Sequence, residues 1–166
     1  MNENDHTRTR PPERPDEPVN LPEDRTIRSS RTLQATRARV WPLFENRADL
    51  VAWWGPSGFV NTFEEFDFNP GGAWKLVMHA PDGSAYPMNK RFIRIEAPHQ
   101  LVIDHIDEAH GFRMFIRLHE HGETTRLEWI MVFDRAEEAA KVRPFVEAAN
   151  EQNFDRLADY LFRKPS

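Results

Sequence analysis

The spacing of hydrophobic and polar residues changes several times along the chain, and each change marks an element. Residues 1–24 hold only Met1, Val19 and Leu21 as apolar groups among five prolines and ten charged side chains. Such a stretch buries too little surface to offset the entropy of ordering it, so a disordered Pro-rich acidic leader is expected over 1–24. Arg25 to Leu33 then reads as a strand, with Ile27 and Leu33 its clearest apolar positions. Thr36 can cap a helix from Arg37 to Phe44, where Val40, Leu43 and Phe44 fall at helical spacing and Pro42 must sit in a first turn or kink the chain beyond it. A second short helix, Arg47 to Trp54, gathers Leu50, Val51 and Trp54 on one side before Gly55-Pro56 ends it.

From Phe59 the period drops to two. Phe59 to Phe68 is rich in aromatic and β-branched residues, and Trp74, Leu76 and Met78 alternate with Lys75, Val77 and His79. Strands follow at Tyr86 to Ile95 and Gln100 to Ile106, then around Phe112, Met114, Ile116 and Leu118, and finally around Leu127, Trp129, Met131 and Phe133. Turn chemistry separates them at Gly71-Gly72, Pro81-Asp82-Gly83-Ser84, Ala97-Pro98, Asp107 to Gly111 and Glu120 to Glu123. From Arg135 to about Phe162 the apolar residues return to helical spacing, and Pro144 predicts that this helix starts or restarts there. The assembly that buries both surfaces is an α+β fold, a curved antiparallel sheet of six to seven strands wrapped around one long C-terminal helix, with residues 25–166 as its domain. A gap between sheet and helix is then the candidate site.

Composition narrows the function classes. The 166 residues are 39% hydrophobic, enough for one domain with a real core. Net charge is −5, most of it in the leader, and no basic face marks a nucleic-acid partner. The absence of cysteine removes thiol catalysis, disulfides and cysteine-ligated zinc. No apolar run has the length of a membrane span, so a cytoplasmic protein is expected. Three indoles and four glycines crowd into Trp53-Trp54-Gly55-Pro56-Ser57-Gly58-Phe59 and Asp67 to Trp74, which reads as the mouth or floor of a cavity, or as the plug of a core.

These motifs resemble a known family. Val40-Trp41, Trp53-Trp54-Gly55-Pro56 with Gly58-Phe59, Asp67 before Gly71-Gly72-Ala73-Trp74, Met78 before Asp82-Gly83, Ile95 with Pro98 and Leu101, and Leu157 to Leu161 are similar to the Hsp90 ATPase activator homologue-like branch of the START/Bet v 1-like (SRPBCC) superfamily. The resemblance spans roughly residues 28–162 and implies the helix-grip fold. It implies a cavity for a small hydrophobic or amphipathic molecule, and for some relatives cyclase, hydrolase or dehydratase chemistry. The activator itself uses a further domain not found in this chain, so the family name is poor evidence for chaperone work. One departure stands out: where the family commonly has Gly-x-Tyr-x-Glu-Ile, this chain has Lys90-Arg91-Phe92-Ile93-Arg94-Ile95, which bears on the strand's bend and on one cavity wall.

The resemblance selects the cavity wall: Trp54, Phe59, Trp74, Leu76 and Met78 from the first half, Tyr86, Met114, Ile116, Trp129 and Met131 from the later strands, and Phe154 and Leu157 from the long helix. His105 joins them as a residue of an apolar strand whose side chain serves structure or acid–base chemistry according to the face it takes. Asn150 and Asn153 lie on or beside the apolar stripe, where their amides can orient a ligand or bond within the fold. Glu147 flanks the same stripe. His119 and His121 have ligand-like spacing without a third donor, so no metal and no cofactor is assigned. Binding of a small hydrophobic or amphipathic ligand between sheet and C-terminal helix, as carrier or sensor, is the leading function. An enzyme using His105, Glu147 or Tyr86 is the alternative, and a protein-interaction module the third. A homodimer through an exposed sheet edge or the helix region is compatible with all three.

Overall fold

The computed structural model of the chain describes residues 13–164. Seven strands form: β1 (Thr26–Leu33), β2 (Val60–Phe66), β3 (Ala73–His79), β4 (Ala85–Glu96), β5 (Gln100–His105), β6 (Phe112–His121) and β7 (Thr124–Phe133). They make one antiparallel sheet in the order β1-β7-β6-β5-β4-β3-β2. Strands β2 to β7 follow one another as hairpins, and β1 pairs with β7 from Thr26 opposite Val132 to Leu33 opposite Thr125. The chain therefore has to travel from one sheet edge to the other between β1 and β2. Three short helices make that crossing: α1 (Arg37–Val40), α2 (Pro42–Glu45) and α3 (Arg47–Trp53).

Proline sets the break in this crossing. Pro42 takes the first position of α2, where its missing N–H costs nothing, so the helix expected from Arg37 to Phe44 is two single turns. The long helix α4 (Ala136–Arg163) begins where the helical spacing does, but it runs through Pro144 without the start or restart expected there. Fully buried Ala139 and the packed Val142 hold the first two turns on the core, which offsets the backbone bond that the proline removes.

Strand alternation decides the two faces. Met114, Ile116, Trp129 and Met131 point to the concave side and form the main core with α4 and the short helices. Val102, Phe115, Ile130 and Val132, one residue out of phase, form a second cluster on the convex side. Leu21 covers that cluster. Of the expected leader, residues 1–12 lie outside the described residues, whereas residues 13–24 run against the sheet. Arg14 donates two hydrogen bonds to Asp134, at 2.8 and 2.7 Å, and pairs with Asp104 at 3.2 Å. Glu17 pairs with Arg94 at 3.0 Å.

Candidate functional site

The turn after α3 and the helix α4 are locked together, and that lock shapes the site. Arg156 of α4 donates to the carbonyls of Trp54, Gly55 and Pro56 at 2.9–3.1 Å through Nη1, and to Ala52 at 3.1 Å through Nη2. Asn153 donates to the carbonyl of Trp53 at 3.2 Å, and Asn61 to that of Trp54 at 2.7 Å. Gly55 makes the turn at φ +100°, a conformation that side chains rarely adopt. Trp54 is thereby swung under the helix, its ring 4.9 Å from Trp74 and 5.2 Å from Trp129.

Between this turn, the concave face and α4 lies a cavity of about 490 Å³. Of the residues selected from the sequence, Trp54, Phe59, Met78, Tyr86 and His105 line it, with Met114, Trp129, Met131, Asn150 and Asn153. Trp74, Leu76, Ile116, Phe154 and Leu157 do not: each is at most 1% exposed and fills the core behind the wall. Trp74 is walled off by Trp54 and stacks on Phe92, while Phe154 sets its edge on Trp129 at 4.9 Å. Glu147 faces solvent and pairs with Arg143 one turn back. His119 bonds Glu128 across the β6–β7 hairpin at 3.1 Å, and the described residues hold no cluster of three metal-ligating side chains.

The polar groups of the cavity fall into two sets. Asn150 donates to Ser29 Oγ at 3.2 Å and Asn153 to the Trp53 carbonyl, so both amide nitrogens are committed, and neither amide oxygen accepts a bond among the described residues. On the sheet side, Lys90 points inward, 6% exposed, its Nζ 3.5 Å from Nδ1 of His105. Burial brings the Lys90 ammonium down to a pKa of about 8. His105 is brought down to about 3, first by burial and then by the charge on Lys90, so it is neutral at neutral pH.

A family model described as Activator of Hsp90 ATPase homolog 1-like protein matches residues 34–162. The chain belongs to that family. Its helix-grip sheet and long C-terminal helix are those of the SRPBCC/Bet v 1-like superfamily. Among solved structures, a protein from Arthrobacter aurescens is 25% identical with a TM-score of 0.79, covering 87% of this chain and 90% of its own. One from Nitrosomonas europaea is 16% identical with a TM-score of 0.78 over 87% and 99% of the two chains. One from Chromobacterium violaceum is 23% identical with a TM-score of 0.75 over 84% and 99%. Comparison with curated proteins returns no match.

In this AHSA1-like protein Lys90, where the sequence departs from the pattern of the resemblance, is a wall of the cavity. Its placement had a signal in the sequence, since Met88, Lys90 and Phe92 share one face of β4 and Phe92 is plainly apolar. Asp107, His110 and Phe112 at the cavity rim, with Val142, Val146 and Ala149 of α4, also line the space. The rim loop carried no such signal, because its position depends on how β5 and β6 are joined. Arg156, which holds the whole turn, looked like any exposed helix arginine.

Proposed function

We propose that this AHSA1-like protein binds one small amphipathic molecule between its sheet and α4, as a cytoplasmic carrier or sensor. The cavity itself carries the reading: its walls are Trp, Met and Phe, with a few polar groups, Lys90 and His105 on the sheet and Asn150 and Asn153 on α4. At about 25 cal/mol per Å² of apolar surface removed from water, contact with Trp54, Trp129 and Met131 supplies the drive, and the polar groups supply orientation. Its volume falls in the range of about 300–1,000 Å³ usual for small-molecule sites.

Acid–base catalysis has weaker support. His105 is neutral and, with its lowered pKa, a poor base. Glu147 lies outside the cavity wall, and Tyr86 stands half-exposed at the rim. The test is native mass spectrometry of freshly purified protein beside an Ala149→Trp variant, whose indole fills the gap from α4. A small molecule bound once per chain in the natural protein and absent from the variant is the expected result. No bound mass, together with tryptophan fluorescence unmoved by lipids, polyketides and aromatic acids, contradicts the reading.

A further inference from the structure

Lys90 is the one buried cavity side chain whose full charge has no counter-ion among the described residues. An ammonium carries three N–H donors. The described residues offer it a single acceptor, His105 Nδ1. Aromatic rings flank it, with Nζ 5.2 Å from the centre of Phe112 and 5.9 Å from those of Trp54 and Trp74. Ring faces attract a cation but do not neutralise it.

The neighbouring groups on every side leave that charge standing. His105 on β5 faces Lys90 with Nδ1 at 3.5 Å and, as a neutral ring, brings no negative charge. From the convex side Arg14 reaches the His105 carbonyl at 3.3 Å and adds positive charge. Asp107 is exposed, and its Oδ1 is taken by the N–H groups of Ala109 and His110. Glu138 of α4 pairs with His110. Tyr86 on β4 is at the rim. No carboxylate among the described residues comes within ion-pairing distance of Nζ.

We propose that the ligand is an amphipathic monoanion, a carboxylate on an apolar body, with its carboxylate seated against Lys90 Nζ and its hydrocarbon along Trp129, Met131 and α4. This inference rests on the ligand-binding reading above. A buried ammonium without a partner is costly, and a carboxylate entering the cavity supplies the missing charge and acceptors together. Charge balance selects a carboxylate over a phosphate monoester, whose charge of about −1.5 to −2 exceeds that of one lysine. With its pKa near 8, Lys90 is charged at neutral pH and available for the pairing.

The test titrates the tryptophan fluorescence of the full chain with decanoate and with 1-decanol, which share a tail and differ in charge. The natural protein is expected to bind decanoate at least about tenfold more tightly than decanol, and Lys90→Met to lose that preference while still binding decanol. Nitrogen-detected NMR of Lys90 gives a readout that needs no variant: saturation with decanoate is expected to raise its pKa, and saturation with decanol is not. Equal binding of acid and alcohol, or a Lys90 pKa unmoved by decanoate, overturns the charge assignment and leaves the cavity reading in place. Binding of neither compound overturns both.

Discussion

At the scale of single residues, two backbone and charge effects set the site. Gly55 holds φ +100°, and a Cβ there would lie 2.9 Å from the Met78 methyl. The methyl can move but the backbone strain remains, so Gly55→Ala should cost about 1–2 kcal/mol in urea denaturation. Lys90 moves from the ordinary lysine value of 10.5 to about 8 on folding. The folded chain therefore binds fewer protons than the unfolded chain between those values, and stability rises as pH climbs from about 8 to about 10.5. Lys90→Met removes that cost: it should stabilise the empty protein by about 1–3 kcal/mol at pH 7, with the gain fading towards pH 10.5. Denaturation of both proteins at the two pH values checks this. His105 adds to the same direction at the acid end, since its folded value of about 3 lies below the ordinary 6.5 and stability falls as pH drops through that window. The sequence pointed to His105 directly. It pointed to Lys90 through the departure from the pattern of the resemblance, which bore on one cavity wall, while the parity with Phe92 that turns the lysine inward is hard to trust where a charge falls on an apolar face.

At the scale of elements, period was the reliable guide and chain breaks were not. Alternation located strands β3 to β7, and seven strands fall within the expected six to seven because an inward residue at every second position has only one stable register. Pro42 did break its helix, and Pro144 did not start one. Both prolines obey the same rule, but buried Ala139 ahead of Pro144 anchors the earlier turns, and local chemistry carries no record of that packing. The fork of Arg156 is the element-level device that the pattern hid. Its bonds to four carbonyls join α4 to the turn after α3, and burial lowers its pKa. Arg156→Met should destabilise the fold by about 2 kcal/mol and weaken ligand uptake, whereas Arg156→Lys should restore little, because an ammonium cannot span the same set of carbonyls. Thermal melts of the two variants, with a fluorescence titration of each, distinguish the outcomes. A second fastening lies at the far end of α4. There Tyr160 donates to Asp49 at 2.6 Å and Lys164 pairs with the same carboxylate.

At the scale of the molecule, the helix grip is a division of labour between the two faces of one sheet. The concave face is shared by packed core and cavity, and only the three-dimensional closure of β3, β7 and α4 decides which apolar residue serves which. Trp54 and Trp74 look equivalent in the sequence, yet one lines the space and the other supports it. Part of the convex face, over β5 to β7, is covered by residues from 13–24, a stretch that composition alone marked as unable to order itself. Leu21 and Arg14 act there as isolated anchors in a polar stretch, and Leu21→Ala should lower stability by about 2 kcal/mol in denaturant without changing ligand affinity. A ligand in the cavity lies beside Trp54 and Trp129, and the five indole N–H signals in a ¹H–¹⁵N NMR titration with decanoate test its entry without any substitution. Saturable shifts are expected at Trp54 and Trp129, with Trp41, whose indole is bonded to Glu45 outside the cavity wall, left in place. Indoles that stay unmoved at saturating decanoate, or shift alike at all five positions, would contradict binding in this cavity.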